Sequence, residues 1–337
     1  MRDDSLHDAA RRRYLGAGLG LPLASALAPS LARAAEPLDR YPSRPVTLVV
    51  PFAPGGTSDV VGRVVGQMLT ESLSQSFVAE NRAGAAGIVG WNTVARADPD
   101  GYTLLVTDMS LAIAPGLQPN LPFDPARAFK QVVTISTVPH VLVVNPKLPV
   151  NTVQEFIALA KARPGKLFYG SGGIGTNTHL RSELFKSVTG TDIVHVAYKG
   201  GGAVLPDLMA GQVQSMVSSA PTVLPYIRSG KIKPLMVTSS TRMSVLPDVP
   251  SAVEAGLPKM VMLYWSGLAA PAGVPDPLIH RINGNVVKVL RQPAAQKRFT
   301  EMGLDIRADT PEEATQLVND EIARWTDVVK TAHIKAD

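Results

Sequence analysis

Pro51-Phe52-Ala53-Pro54-Gly55-Gly56-Thr57-Ser58-Asp59 sets the terms for the whole chain. The apolar run before it, residues 46–50, reads as a buried strand. Behind it, Val60, Val61, Val64, Val65, Met68 and Leu69 recur at helical spacing. Two prolines and two glycines make the turn, and Thr57, Ser58 and Asp59 are each suited to cap a helix. A strand that ends in a glycine turn and opens a helix points free backbone N–H groups outward, where the helix dipole adds partial positive charge. Such a turn holds an anion without an arginine or lysine. It is also what a capped connection that binds nothing would look like.

The same layout returns along the chain. Residues 75–80 read as a strand, and Asn81-Arg82-Ala83-Gly84-Ala85-Ala86-Gly87 as a glycine-rich loop before a helix over 88–96. A third strand, 103–107, ends at Asp108-Met109-Ser110. Four prolines make 115–125 irregular. A strand over 138–145 stops at Pro146, and Thr152 with Glu155 has the spacing of a capping box. Strand 167–169 then leads through Gly170-Ser171-Gly172-Gly173-Ile174-Gly175-Thr176-Asn177-Thr178-His179 into a helix that reaches 188. Strand 193–196 leads through Tyr198-Lys199-Gly200-Gly201-Gly202 into another helix. Strand 213–218, helix 221–229 and strand 232–238 follow, and an apolar run spans 261–270. The chain closes with helices over 276–290, 294–302 and 311–330, the last capped by Thr310 and Glu313. This alternation predicts α/β architecture, a mostly parallel sheet with helices on both faces. Ligands of such sheets sit outside the carboxyl ends of the strands.

Composition excludes several functions. The 337 residues give room for two ordinary domains. There is no cysteine, so disulfides, thiolate nucleophiles and cysteine zinc sites are out. The first 34 residues hold five Arg and three Asp; without them 28 basic residues face 25 acidic ones, a net +3. That balance does not point to nucleic acid. No two of the six histidines have helical metal-ligand spacing, so neither metal nor cofactor is expected. Arg11-Arg12-Arg13-Tyr14-Leu15, an apolar run over 15–28 and Ala32-Arg33-Ala34 form an export signal with a small-x-small cleavage pattern near Ala34. The paired arginines resemble a twin-arginine signal. A periplasmic location follows as an expectation, with residues 1–34 outside the fold.

Gly170-x-Gly172-x-x-Gly175 fits a dinucleotide pattern, with Asp192 placed to hold a ribose, which would make an exported oxidoreductase. No acid-base motif accompanies it. Ser171 lacks a nucleophile elbow. His179 opens a helix beside the loop, and Asp59 either meets a ligand or satisfies its own helix.

Several motifs in order resemble the Bug receptors, the periplasmic substrate-binding proteins of tripartite tricarboxylate transporters. They are Tyr41-Pro42-Ser43-Arg44-Pro45-Val46 with the 51–59 turn, Glu80-Asn81-Arg82-Ala83-Gly84, Asp98-Pro99-Asp100-Gly101-Tyr102, Tyr198-Lys199-Gly200-Gly201, Leu246-Pro247-Asp248-Val249-Pro250 and Thr310-Pro311-Glu312. The resemblance implies a type II, flytrap-like periplasmic binding protein fold of two doubly wound lobes joined by crossing strands. One lobe would combine 36–138 with 270–337, and the other would hold 139–269. It implies a monomer and no enzyme, a small mono- or dicarboxylate held between the lobes, and a membrane permease as partner. A ligand sensor for a signalling partner would use the same frame. The implied contacts are Phe52, Ala53, Gly56, Thr57 and Ser58 on one side, and Ser171, Gly173, Thr176 and Thr178 on the other. Asp59, Asp108, Ser110, His179, Ser219 and Ala220 are further candidates. Relatives often carry serine where this chain has Thr176.

Overall fold

The computed structural model describes residues 37–118 and 120–331. The export segment lies outside them. Strand β1 (Val46–Val50), helix α1 (Thr57–Leu73) and strand β2 (Phe77–Asn81) form the first unit. Val61, Val64, Val65 and Leu69 are buried on α1. Gly66 lets the helix approach the sheet, because a Cβ there would sit 3.0 Å from the Phe77 carbonyl. Helix α2 (Ile88–Ala95), strand β3 (Thr103–Asp108) and helix α3 (Met109–Leu117) follow, then the long strand β4 (Phe129–Val144).

The second half alternates in the same way. Helix α4 (Val153–Ala162), strand β5 (Phe168–Ser171), helix α5 (Asn177–Thr189), strand β6 (Val194–Ala197), helix α6 (Gly201–Ala210), strand β7 (Ser215–Ser219), helix α7 (Ala220–Arg228) and strand β8 (Lys233–Val237) build it. Strand β9 (Leu263–Pro271) turns back, followed by α8 (Asp276–Leu290), α9 (Pro293–Glu301), the two-residue β10 (Asp305–Ile306) and α10 (Pro311–Thr331). On α10, Ala314, Val318, Trp325 and Val329 are buried. Trp325 donates to the Glu321 carboxylate over 2.8 Å.

The strands run in the order β2-β1-β3-β9-β4-β7-β5-β6, with β8 and β10 also on β4. Pairings among β2, β1 and β3 are parallel, as are those among β6, β5 and β7. The centre departs from the expected parallel sheet: β9 is antiparallel to β3 and β4, and β4 is antiparallel to β7 and β8. The reason is that β4 crosses from one parallel group to the other, with β9 paired along its first part. From Phe129 to Pro139 β4 pairs with β9, and from His140 to Val144 with β7. Its first half was not expected, since Gln131, Thr134 and Ser136 are polar yet buried there. Helix α3 also replaces part of the stretch expected to be irregular, with Pro115 inside it.

Candidate binding site

Every glycine loop follows a strand at its carboxyl end, and three of them converge. Gly56, not one of the three polar residues after it, occupies the cap position of α1. That leaves the buried Thr57 and Ser58 hydroxyls free to face inward. Thr57 Oγ1 bonds the Ser219 hydroxyl and lies 3.1 Å from Thr222 Oγ1, both at the start of α7. Thr176 caps α5, and Thr178 Oγ1 accepts from the Gly172 N–H over 2.8 Å. The third loop closes the ring: Ala53 N donates to the Lys199 carbonyl over 2.9 Å.

These groups surround a cavity of ≈ 40 Å³. It has room for about three waters. Phe52, Gly56, Thr57, Ser58, Asp108, Thr176, Thr178 and Ser219 line it, all among the residues expected from sequence. A larger groove of ≈ 340 Å³ runs between 239–244 and 300–305, and no residue of the three converging loops lines it.

Other expected residues support the walls instead of lining them. Asp59 accepts from Gly55 N, Arg63 Nε and Asn81 Nδ2, each over 2.9 Å, and so ties down the first loop. Ser110 Oγ accepts from Asn177 Nδ2 over 3.0 Å. Ser171 Oγ lies 2.6 Å from His195 Nε2 and bonds Gly173. His179 Nδ1 accepts from Gly175 N over 3.2 Å, and its ring stacks on His195 with centroids 4.3 Å apart. Ala53, Gly173 and Ala220 are likewise absent from the lining.

Sequence reasoning missed His140, Gly172, Asn177, Gly201, Ser218, Thr222 and Tyr264. Asn177 stands inside a run already singled out, so its place next to Thr176 was the available signal. His140 and Tyr264 gave none, because each lies within an apolar strand.

The floor carries the site's electrostatics. Asp108 Oδ2 accepts from Ser58 Oγ over 2.8 Å and from Tyr264 OH over 2.9 Å; Oδ1 accepts from Ser110 N over 2.8 Å. Burial raises the Asp108 carboxyl above its ordinary range, and those hydrogen bonds pull the other way. Burial, with the Asp108 charge next, holds the Tyr264 phenol protonated. Burial and then Arg181's charge push His140 well below its ordinary value, so it is neutral. Arg181 sits behind this floor, 1% exposed, with Nη1 on the Met262 carbonyl and Nη2 on the Leu263 carbonyl. Burial lowers it to about 9.

The dinucleotide reading meets an obstacle. Gly165 N donates to the Asp192 carbonyl over 3.1 Å, ahead of both β5 and β6. Asp192 therefore stands at the opposite end of these strands from the glycine loop, out of reach of a nucleotide there.

The family model described as tripartite tricarboxylate transporter family receptor matches residues 61–334. The chain belongs to that family of receptors. It is 38% identical to Protein BugT of Bordetella pertussis over 299 residues, 88% of this chain and 92% of that protein. Among solved structures, MatC from Rhodopseudomonas palustris with bound malate shares 34% identity at a TM-score of 0.82, covering 86% of this chain and 100% of that one. An R. palustris protein with adipate shares 36% at a TM-score of 0.84, covering 88% and 99%. The tripartite tricarboxylate transporter receptor thus has the α/β fold of periplasmic binding proteins, and its role is solute binding. Among the described residues, no helix of this receptor is long and apolar enough to cross a membrane.

Proposed function

We propose that this receptor captures a small organic acid between the glycine loops and delivers it to a membrane permease without altering it. The observation that carries the reading is the meeting of hydroxyls from the starts of α1, α5 and α7 around one cavity. A carboxylate there would gain about 1.5–3 kcal/mol per hydrogen bond. Three or four such bonds are enough for micromolar affinity once the association cost is met. The malate and adipate in the two R. palustris structures support the same ligand class.

The two lobes are residues 36–138 with 270–337, and 139–269. The two parallel strand groups on either side of β4 and β9 support that division. Loops from both lobes share the ligand, so binding favours the closed form. The receptor acts as a monomer and reaches the periplasm after cleavage near Ala34.

The Ser171–His195 pair favours an enzyme. Three observations weigh against it. Ser171 is 0% exposed. Neither residue lines the cavity. Burial, then His179's charge, lowers His195 to about 4, a weak base at neutral pH. Isothermal titration of the mature chain with a panel of mono- and dicarboxylates tests the reading. Heat of binding, with the solute recovered unchanged by proton NMR, is expected. No heat with any acid, or a converted solute, would overturn it.

A further inference from the structure

We infer that the cavity floor formed by Asp108 and His140 selects an acid that bears a hydroxyl or ammonium group beside its carboxylate. This rests on the carboxylate reading above and names the group next to the captured carboxylate.

Two residues with acceptor atoms line that floor. Asp108 is 2% exposed and lines the cavity, and the groups bonded to it are the neutral donors of Ser58, Ser110 and Tyr264. Its negative charge therefore has no ion-pair partner in direct contact. His140 lines the same cavity and is 1% exposed. Its Nε2 lies 2.9 Å from Asn177 Oδ1. The amide of Asn177 is oriented by its Nδ2, which donates to Ser110 Oγ over 3.0 Å. With the amide so oriented, Asn177 Oδ1 accepts from His140 Nε2, which leaves Nδ1 of the neutral ring with a lone pair. That Nδ1 is buried with no hydrogen-bond partner.

A buried acceptor without a donor is costly, and a solute hydroxyl or ammonium can supply one. A second carboxylate on this floor would instead face the Asp108 charge and the His140 lone pair at low dielectric. The hydroxyl cluster of Thr57, Ser219 and Thr222 sits at the starts of α1 and α7 and suits the carboxylate end. The two sets adjoin, since His140 pairs with Ser219 across β4 and β7 and Ser58, which donates to Asp108, follows Thr57 in the chain.

The experiment is titration of the mature chain with three matched pairs: propionate and L-lactate, succinate and L-malate, glutarate and L-glutamate. The donor-bearing member of at least one pair is expected to bind about tenfold tighter or better, the worth of one satisfied buried acceptor. Asp108→Asn should narrow that gap to about threefold or less, as the charge on the floor disappears. If that variant does not fold, the wild-type pairs still decide. Equal or tighter binding of the unsubstituted acid in every pair that binds overturns this inference and leaves the carboxylate reading standing. A gap that survives unchanged in Asp108→Asn overturns the role given to Asp108. Silence from all six acids removes the carboxylate reading, and this inference with it.

Discussion

The Ala53 N–H donates to the Lys199 carbonyl over 2.9 Å, so the first and third glycine loops touch through their backbones. Gly202 makes that approach possible. A Cβ there would lie 2.4 Å from the Pro54 carbonyl oxygen and 2.8 Å from the Gly55 carbonyl carbon. Both are backbone atoms that cannot rotate away. Gly202→Ala should wedge the loops apart while leaving the hydrophobic core alone. Its affinity for the best acid of the panel should fall by about tenfold or more, the loss of roughly one ligand hydrogen bond. Titration beside a melting curve checks this. Unchanged affinity would mean that the loops need not meet for binding.

Thr57 is the hydroxyl that reaches Ser219 and Thr222 across the cavity. Thr57→Val keeps the shape and removes the donor. If this hydroxyl meets the carboxylate, affinity should drop by about 10- to 150-fold, one charge-assisted bond. Asp59→Asn is the contrast. Asp59 faces Gly55, Arg63 and Asn81 and does not line the cavity. It should lower the melting temperature more than it lowers affinity. The reverse ranking, measured by calorimetry on both variants, would redraw the site.

Much of this was legible because it is local. The 51–59 turn, the stripe on α1 and the capping box of α4 depend on neighbours within a few residues, and each formed where its pattern stood. The first half of β4 was hidden because its polar residues find distant partners. Thr134 N reaches Asp309 over 2.6 Å, and Ser136 reaches the Ser266 hydroxyl over 3.0 Å. The site divides in the same way. Its loops announce themselves through glycine and hydroxyl residues. Its floor does not, since Tyr264 meets Asp108 from 156 positions away and His140 on β4 meets Asn177 at the start of α5, 37 positions on. Asp59 shows the converse, a polar residue in the right loop whose side chain turns to Arg63 and Asn81.

The α4 capping box offers a test of the fold apart from the ligand. Thr152 Oγ1 accepts from Glu155 N over 3.1 Å, and the Glu155 carboxylate accepts from Thr152 N over 3.3 Å. Thr152→Ala removes the first bond and should cost about 0.5–2 kcal/mol of stability. Urea melts should show it as a lower midpoint at unchanged slope. Affinity for any acid should stay the same, since α4 contributes nothing to the cavity lining.

Acid sensitivity follows from two histidines that folding keeps neutral. Burial, then the charge of His179, lowers His195 from 6.5 to about 4. Burial, then Arg181, lowers His140 well below 6.5. The unfolded chain takes up protons at both near 6.5, and the folded chain does not. Stability is therefore full above that value and is lost as pH falls toward 4. Asp108 acts in the opposite sense, because burial raises its carboxyl, which binds a proton in the folded state first and adds stability as pH falls from its raised value toward 3.8. The clean measurement is a difference. Between about pH 7.5 and about pH 5 the melting temperature of His195→Asn should fall less than that of the wild type, since one proton-binding site is gone from the unfolded chain. Ser171 Oγ also accepts from Gly173 N over 3.1 Å, so the second glycine loop retains an anchor in that variant. Parallel melting curves for the two proteins across that interval would show that His195 takes up its proton in the folded state as readily as in the unfolded one.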